Sequence, residues 1–260
     1  MMDPAYIAAG ALTGVLVGLT GVGGGALMTP ILLLVFGISP VTAIATDLWF
    51  AAITKIIGAN IHQKANRVDW LIVKRLWLGS LPVALIATLA VGMGVKTQKL
   101  DWLSEVIGVV VLITALALIF APKLSKVAIK RRLDEPEKFK KSQPLLTVFA
   151  GAVLGLCVSL TSIGAGALGS VMLIYLYPLR MTPHKLVGTD IVHAIPLAIV
   201  SGLGFMYMGL VNFELLASLL VGSIPCVILG GALAGKISSR AVQVTLATVL
   251  IATSTKVLLS

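Results

Sequence analysis

The chain has 260 residues, 58% of them hydrophobic and only 12% charged, with a formal net charge of +10. A soluble domain of this size carries about 25% charged residues to keep its surface wet, so the composition excludes a soluble enzyme. The charges are also bunched between apolar runs of about 20 residues, the length that crosses a bilayer. The positive balance therefore concerns membrane topology before nucleic-acid binding.

Breaks at charges, prolines and turn signals leave apolar stretches at 5–20, 24–37, 41–60, 71–95 and 103–121, then at 145–160, 164–177, 186–206, 213–235 and 241–259. Backbone in hydrocarbon has no water to satisfy a strand edge, so these segments are expected to be helices. The first lacks a basic stretch before it and reads as part of the mature chain, with no cleavable signal peptide. Cys157 and Cys226 both lie in apolar segments and read as small core hydrophobes. No metal site and no cofactor is expected.

Five segments precede the charged stretch and five follow it, and the two sets repeat. At a shift of 141 residues Gly14, Leu19, Thr20, Gly23, Gly25, Ala26 and Leu27 fall on Gly155, Leu160, Thr161, Gly164, Gly166, Ala167 and Leu168. Two extra residues near 179–182 change the shift to 143, which places Thr46, Asp47 and Ala51 on Thr189, Asp190 and Ala194, and Gly79, Ser80 and Pro82 on Gly222, Ser223 and Pro225. The division is a first membrane repeat at 1–121, a basic linker at 122–144 and a second membrane repeat at 145–260.

Basic residues concentrate on the cytoplasmic side of membrane proteins. The loops at 60–75, 122–142, 178–186 and 236–240 carry sixteen of the twenty Lys and Arg, and alternate counting of segments puts all four on one face. Corresponding loops exchange character: the neutral turn at 37–40 matches basic 178–186, and basic 60–75 matches neutral 206–213. An odd number of segments per half produces that exchange, the mark of inverted-topology repeats in secondary transporters. Both termini are then outside and the 122–142 linker is cytoplasmic. The fold class expected is an all-α polytopic membrane protein of two inverted repeats.

The first two segments of each half are short for a ~30 Å hydrocarbon core. Between them lie Thr20-Gly21-Val22-Gly23-Gly24-Gly25 and Thr161-Ser162-Ile163-Gly164-Ala165-Gly166. Glycine costs about 1 kcal/mol relative to alanine inside a helix, so each half is expected to open with a Gly-broken helix hairpin. Helices restarting near Ala26 and Ala167 would aim unpaired N–H groups and a positive dipole end at one cavity, which favours an anion. Thr20, Gly23, Gly24, Gly25, Thr161, Ser162, Gly164 and Gly166 are the candidate substrate-binding residues, although close helix packing would also use such glycines. Asp47 and Asp190, ionisable and deep in apolar segments, are candidates for proton coupling, as is His193 one turn after Asp190. The alternative is that they cap helices or make interior hydrogen bonds. Lys55, two turns past Asp47, either pairs with it or attracts the anion. The Gly-Ser-x-Pro sets at Gly79–Pro82 and Gly222–Pro225 are expected to kink their helices.

With these features in hand the chain resembles the TauE/SafE (TSUP) family of sulfite and organosulfonate exporters. The resemblance is carried by the glycine-rich opening with TPxLLxxFG from Thr29 to Gly37, by Thr46-Asp47 and Thr189-Asp190, by the two GSxP sets and by the repeated halves. It covers nearly the whole chain and implies transport of a small sulfur-containing or carboxylate anion, coupled to protons, across the cell membrane. A passive anion channel or an uptake permease is the alternative. A membrane enzyme is disfavoured: no HExxH occurs, and SIGAG lacks the context of a nucleophile elbow.

Overall fold

The structure is a computed structural model that describes residues 3–20, 25–62, 68–97, 102–134 and 136–233, together with residues 248, 251, 252 and 255. The described residues form nine helices and no strand: α1 (Pro4–Thr20), α2 (Gly25–Leu34), α3 (Pro40–His62), α4 (Trp70–Thr97), α5 (Trp102–Asp134), α6 (Pro136–Thr161), α7 (Ala167–Leu176), α8 (Pro183–Tyr207) and α9 (Phe213–Leu233). Most of the last apolar stretch, 241–259, lies outside the described residues. Five segments are long and apolar enough to cross a membrane: Pro40–Ile57, Trp70–Gly94, Lys141–Thr161, Lys185–Tyr207 and Phe213–Ala232. Shorter apolar helices cover Pro4–Leu19, Glu105–Ala117 and Ala167–Leu176.

Two boundaries differ from the sequence reading. The first segment of the second half is not short: α6 has 26 residues, about 39 Å at 1.5 Å per residue. Nor do the charges of the linker end the helices, because α5 continues to Asp134 and α6 begins at Pro136. Breaking the chain at charges underestimated both elements, since Lys, Arg and Glu are good helix formers.

The side chains are distributed inside out relative to a soluble protein. Leu78, Leu85, Ile86 and Leu89 of α4 and Leu145 and Phe149 of α6 face outward, while Thr46, Asp47, Thr54, Lys55, Ser80, Asp190 and His193 are buried. An apolar exterior of that extent is a surface made for lipid.

Packing is exchanged between the halves. The most extensive contacts are α1 with α9 and α4 with α6, so the first helix of each half lies on the fourth helix of the other. The glycines explain why. A Cβ on Gly79 would run into the carbonyl oxygen of Val148, and one on Gly222 into that of Ile7. The same reciprocity links Gly151 to Leu76 and Gly10 to Leu219, and links Gly155 to Ser80 and Gly14 to Ser223. Every pair is one contact made twice, at shifts of 141 and 143 residues. Small residues let backbones approach where lipid supplies no hydrophobic drive between helices. The glycines of the GSxP sets are therefore close-packing positions, and Pro82 and Pro225 sit inside continuous helices.

The threonines of the two Thr-Asp pairs perform an equivalent exchange. The backbone N–H of Asp69, before α4, donates to Thr189 Oγ1 at 3.0 Å, and that of Asn212, before α9, donates to Thr46 Oγ1 at 3.2 Å. Each half thus anchors the start of the other half's fourth helix.

Candidate functional site

The break between α6 and α7 is where the backbone leaves ordinary geometry. Ser162 adopts φ 58°, rare for a residue with a side chain, and Gly164 and Gly166 have φ of 123° and 112°. Thr161 stabilises the turn: its hydroxyl donates to the Cys157 carbonyl at 2.7 Å and accepts the N–H of Ile163 at 3.1 Å. That hydroxyl is engaged locally rather than turned toward a ligand. The corresponding residues 21–24 of the first half, with Gly23 and Gly24, lie outside the described residues, as does the side chain of Thr20. Gly25 is the first residue of α2.

Both aspartates sit well inside long helices and attach to the short helix that follows each break. Asp47 accepts a hydrogen bond from Thr29 of α2 at 2.6 Å. Asp190 Oδ1 accepts the backbone N–H of Gly166, the residue capping the start of α7, at 3.1 Å. Neither aspartate caps its own helix. Asp190 instead supplies the negative charge that the N-terminal end of α7 attracts. The sequence reading aims that end at a substrate; in the structure a carboxylate of the protein already stands there.

Lys55 completes the cluster. Its ammonium lies 3.9 Å from Asp190 Oδ2 and 3.5 Å from the carbonyl oxygen of Ala165. The side chain is only 4% exposed, too enclosed for water to screen the charge. Its partner is the aspartate of the other half, 135 residues away, rather than Asp47 on its own helix. Asp47 is still within electrostatic reach of Lys55. Ser162 Oγ lies near the Asp47 carboxylate, yet neither it nor Asp47 Oδ1 completes a well-formed hydrogen bond among the described residues.

Lys55, Ser162 and Ala165 line a cavity whose remaining wall includes Ala51 of α3 and Ala194 and Ala198 of α8. The small side chains create the space. It has about 10 Å³ of room, near the minimum for one water. Ala51 and Ala194 are equivalent positions, and Lys55 is matched by Ala198, so the repeat places an ammonium on the α3 wall where the α8 wall has a methyl.

His193 takes a different direction. Its Nε2 is 3.0 Å from Ser80 Oγ of α4, and its backbone carbonyl accepts the indole N–H of Trp77 at 3.2 Å. The equivalent of His193 is Phe50, fully buried, so this polar link exists in one half only. Sequence reasoning missed two participants. Thr29 was passed over inside TPxLLxxFG, although a hydroxyl one turn into a helix after a break is a natural carboxylate ligand. Ser80 was read only as part of a kink.

At the end of α8 nearest Thr189, Arg180 holds Asp69 in a two-point ion pair, Nε to Oδ2 at 2.6 Å and a terminal nitrogen to Oδ1 at 2.9 Å. Tyr177 lies nearby, its hydroxyl 2.7 Å from Thr147 Oγ1 and 3.4 Å from Arg75. These contacts join the loops at 60–75 and 178–186.

Comparison with known proteins gives a consistent picture. A family model described as "Sulfite exporter TauE/SafE" matches residues 6–257. "Probable membrane transporter protein YjnA" of Bacillus subtilis (strain 168) is 35% identical over 266 residues, covering 99% of this chain and 100% of its own. "Probable membrane transporter protein YdhB" of the same organism is 26% identical over 218 residues, 82% of each chain. A "Probable membrane transporter protein" of Haemophilus influenzae is 27% identical over 164 residues, 60% of this chain and 57% of its own. No solved structure matches.

Proposed function

The chain belongs to the TauE/SafE family of multi-pass membrane transporters, and from that premise we propose that it is a secondary transporter exporting a small sulfur-containing anion, sulfite or an organosulfonate, with protons as the coupling ion. The observation that carries the reading is the enclosed cavity at the second break. The Lys55 ammonium and the Ser162 hydroxyl line it from elements of both halves, beside Ala165, the residue before the Gly166 cap of α7. An ammonium beside a helix start is a site for an oxyanion. Asp47, Asp190 and His193 are the groups available to carry the proton.

The proposal treats residues 1–121 and 145–260 as inverted repeats, with both termini outside and the 122–142 linker in the cytoplasm. The exchanged packing of α1 on α9 and α6 on α4 supports the two-fold relation of the halves, and the basic loops support the orientation. A cavity with room for about one water is far smaller than a sulfur oxyanion with three or four oxygens. It therefore favours a carrier that opens to admit its substrate over an always-open channel.

The test is a thermal-stability screen of the purified protein with sulfite, thiosulfate, sulfoacetate, taurine and sulfate, followed by flux of any stabilising anion in proteoliposomes. A carrier gives saturable, proton-sensitive flux. Flux that rises linearly with concentration and ignores the proton gradient would replace this reading with a channel.

A further inference from the structure

We propose that the Asp190 carboxylate stands in the place of the transported anion, so that a proton and a small oxyanion are bound together and move in the same direction. The inference rests on the anion-carrier reading and specifies how that site is coupled, with export then driven by the anion's own outward gradient rather than by inward proton flow. Asp190 uses the two features an oxyanion needs: Oδ1 takes the Gly166 N–H at 3.1 Å, and Oδ2 faces the Lys55 ammonium at 3.9 Å. The room beside them is that of about one water. Ser162 Oγ, buried beside the Asp47 carboxylate and without a well-formed hydrogen bond among the described residues, lines the same cavity.

Charge then dictates the order of events. With Asp190 ionised, Lys55 is neutralised, and an entering anion would add an uncompensated buried charge. Transfer of one proton from water on the open side to Oδ2 removes the charge of Asp190 and leaves Lys55 without its direct partner. The oxyanion then becomes the counter-ion of Lys55 and takes the α7 N-terminal end. When the anion leaves, the proton returns to water and the internal pair re-forms. Each ligand strengthens the binding of the other, and the linkage is reciprocal.

The titratable groups on the elements packed around Asp190 are consistent with one exchangeable charge. From α3 come Lys55 and Asp47, the latter held by Thr29. From α8 itself comes His193, engaged with Ser80 of α4. From the start of α4 comes Asp69, neutralised by Arg180, and α6 brings the Cβ of Cys157 near Gly164. The residues of α7 nearest Asp190 offer backbone and Gly169, where a Cβ would meet Asp190 Oδ1.

The experiment measures affinity of the full chain for thiosulfate, sulfate and sulfoacetate, whose charges stay constant between about pH 5.5 and 8. For the unmodified protein we expect affinity to fall by up to about tenfold per pH unit, the limit for one linked proton. Asp190→Asn keeps an acceptor for the Gly166 N–H and should bind at least as tightly, with that slope abolished. In liposomes, anion entry should acidify the interior with the unmodified protein, whereas the variant should exchange anion for anion without moving protons. If the variant does not fold, the slope and the acidification of the unmodified protein decide alone. A flat or rising affinity with pH, interior alkalinisation, or lost binding in a folded Asp190→Asn protein overturns the inference while the anion reading stands. Failure of every anion in the full screen to bind the unmodified protein at either pH overturns both.

Discussion

Gly166→Ala tests whether the broken backbone, rather than the charges alone, holds the site together. Gly166 sits at φ 112° and ψ −78° and donates its N–H to buried Asp190 at 3.1 Å. A residue with a Cβ in so sparsely populated a region costs about 1–3 kcal/mol. If the chain relaxes instead, the N–H swings away and a hydrogen bond to a charged group worth about 1.5–3 kcal/mol is lost. Either route removes a large part of a typical net stability of about 5–15 kcal/mol. Gly209→Ala is the internal control, because Gly209 has φ 71° with open space around its Cβ position, and a left-handed alanine there costs only about 1–2 kcal/mol. Thermal unfolding in detergent should place Gly166→Ala below Gly209→Ala by about 1 kcal/mol, or about 2–4 °C for a chain of this size. Equal unfolding temperatures would refute the claim that this geometry positions Asp190.

Further outcomes follow from the packing and the topology. A methyl on Gly14 would lie 2.6 Å from Ser223 O and 2.8 Å from its Cα, so Gly14→Ala should destabilise by about 1–3 kcal/mol through forced helix separation. Gly155→Ala, the same contact in the other half, should cost a similar amount in the same thermal assay, and unequal costs would argue against equivalent packing. Arg180→Met removes the partner of buried Asp69; with Arg180 51% exposed, the loss should be about 1–2 kcal/mol and should be partly relieved by Asp69→Asn in a double-mutant cycle. A single cysteine at position 130, in a background with Cys157 and Cys226 replaced, should react with impermeant reagent only from the cytoplasmic side. Labelling only from outside would invert the proposed topology.

Local chemistry in the sequence determined most of the elements. Nine of the ten apolar stretches correspond to described helices with ends displaced by a few residues, except at the linker, where helix-forming charged residues carry α5 and α6 past the expected limits. The break at 162–166 was legible because several glycines and a serine cannot continue a helix cheaply. The duplication was legible because the Thr-Asp and Gly-Ser-x-Pro sets recur in order. What each residue touches was decided by tertiary structure alone. Lys55 stands two turns from Asp47 along α3, yet the exchanged packing brings it to Asp190 of the other half. Likewise the GSxP glycines read as kinks until the approach of α6 and α1 shows them to be contact points. Periodicity and propensity report on a segment's own backbone, whereas a carboxylate's partner depends on which helices meet and at what rotation. Two copies of one sequence pattern could therefore diverge, with Asp47 bound to Thr29 and Asp190 to the start of α7 and Lys55, without any local signal to distinguish them.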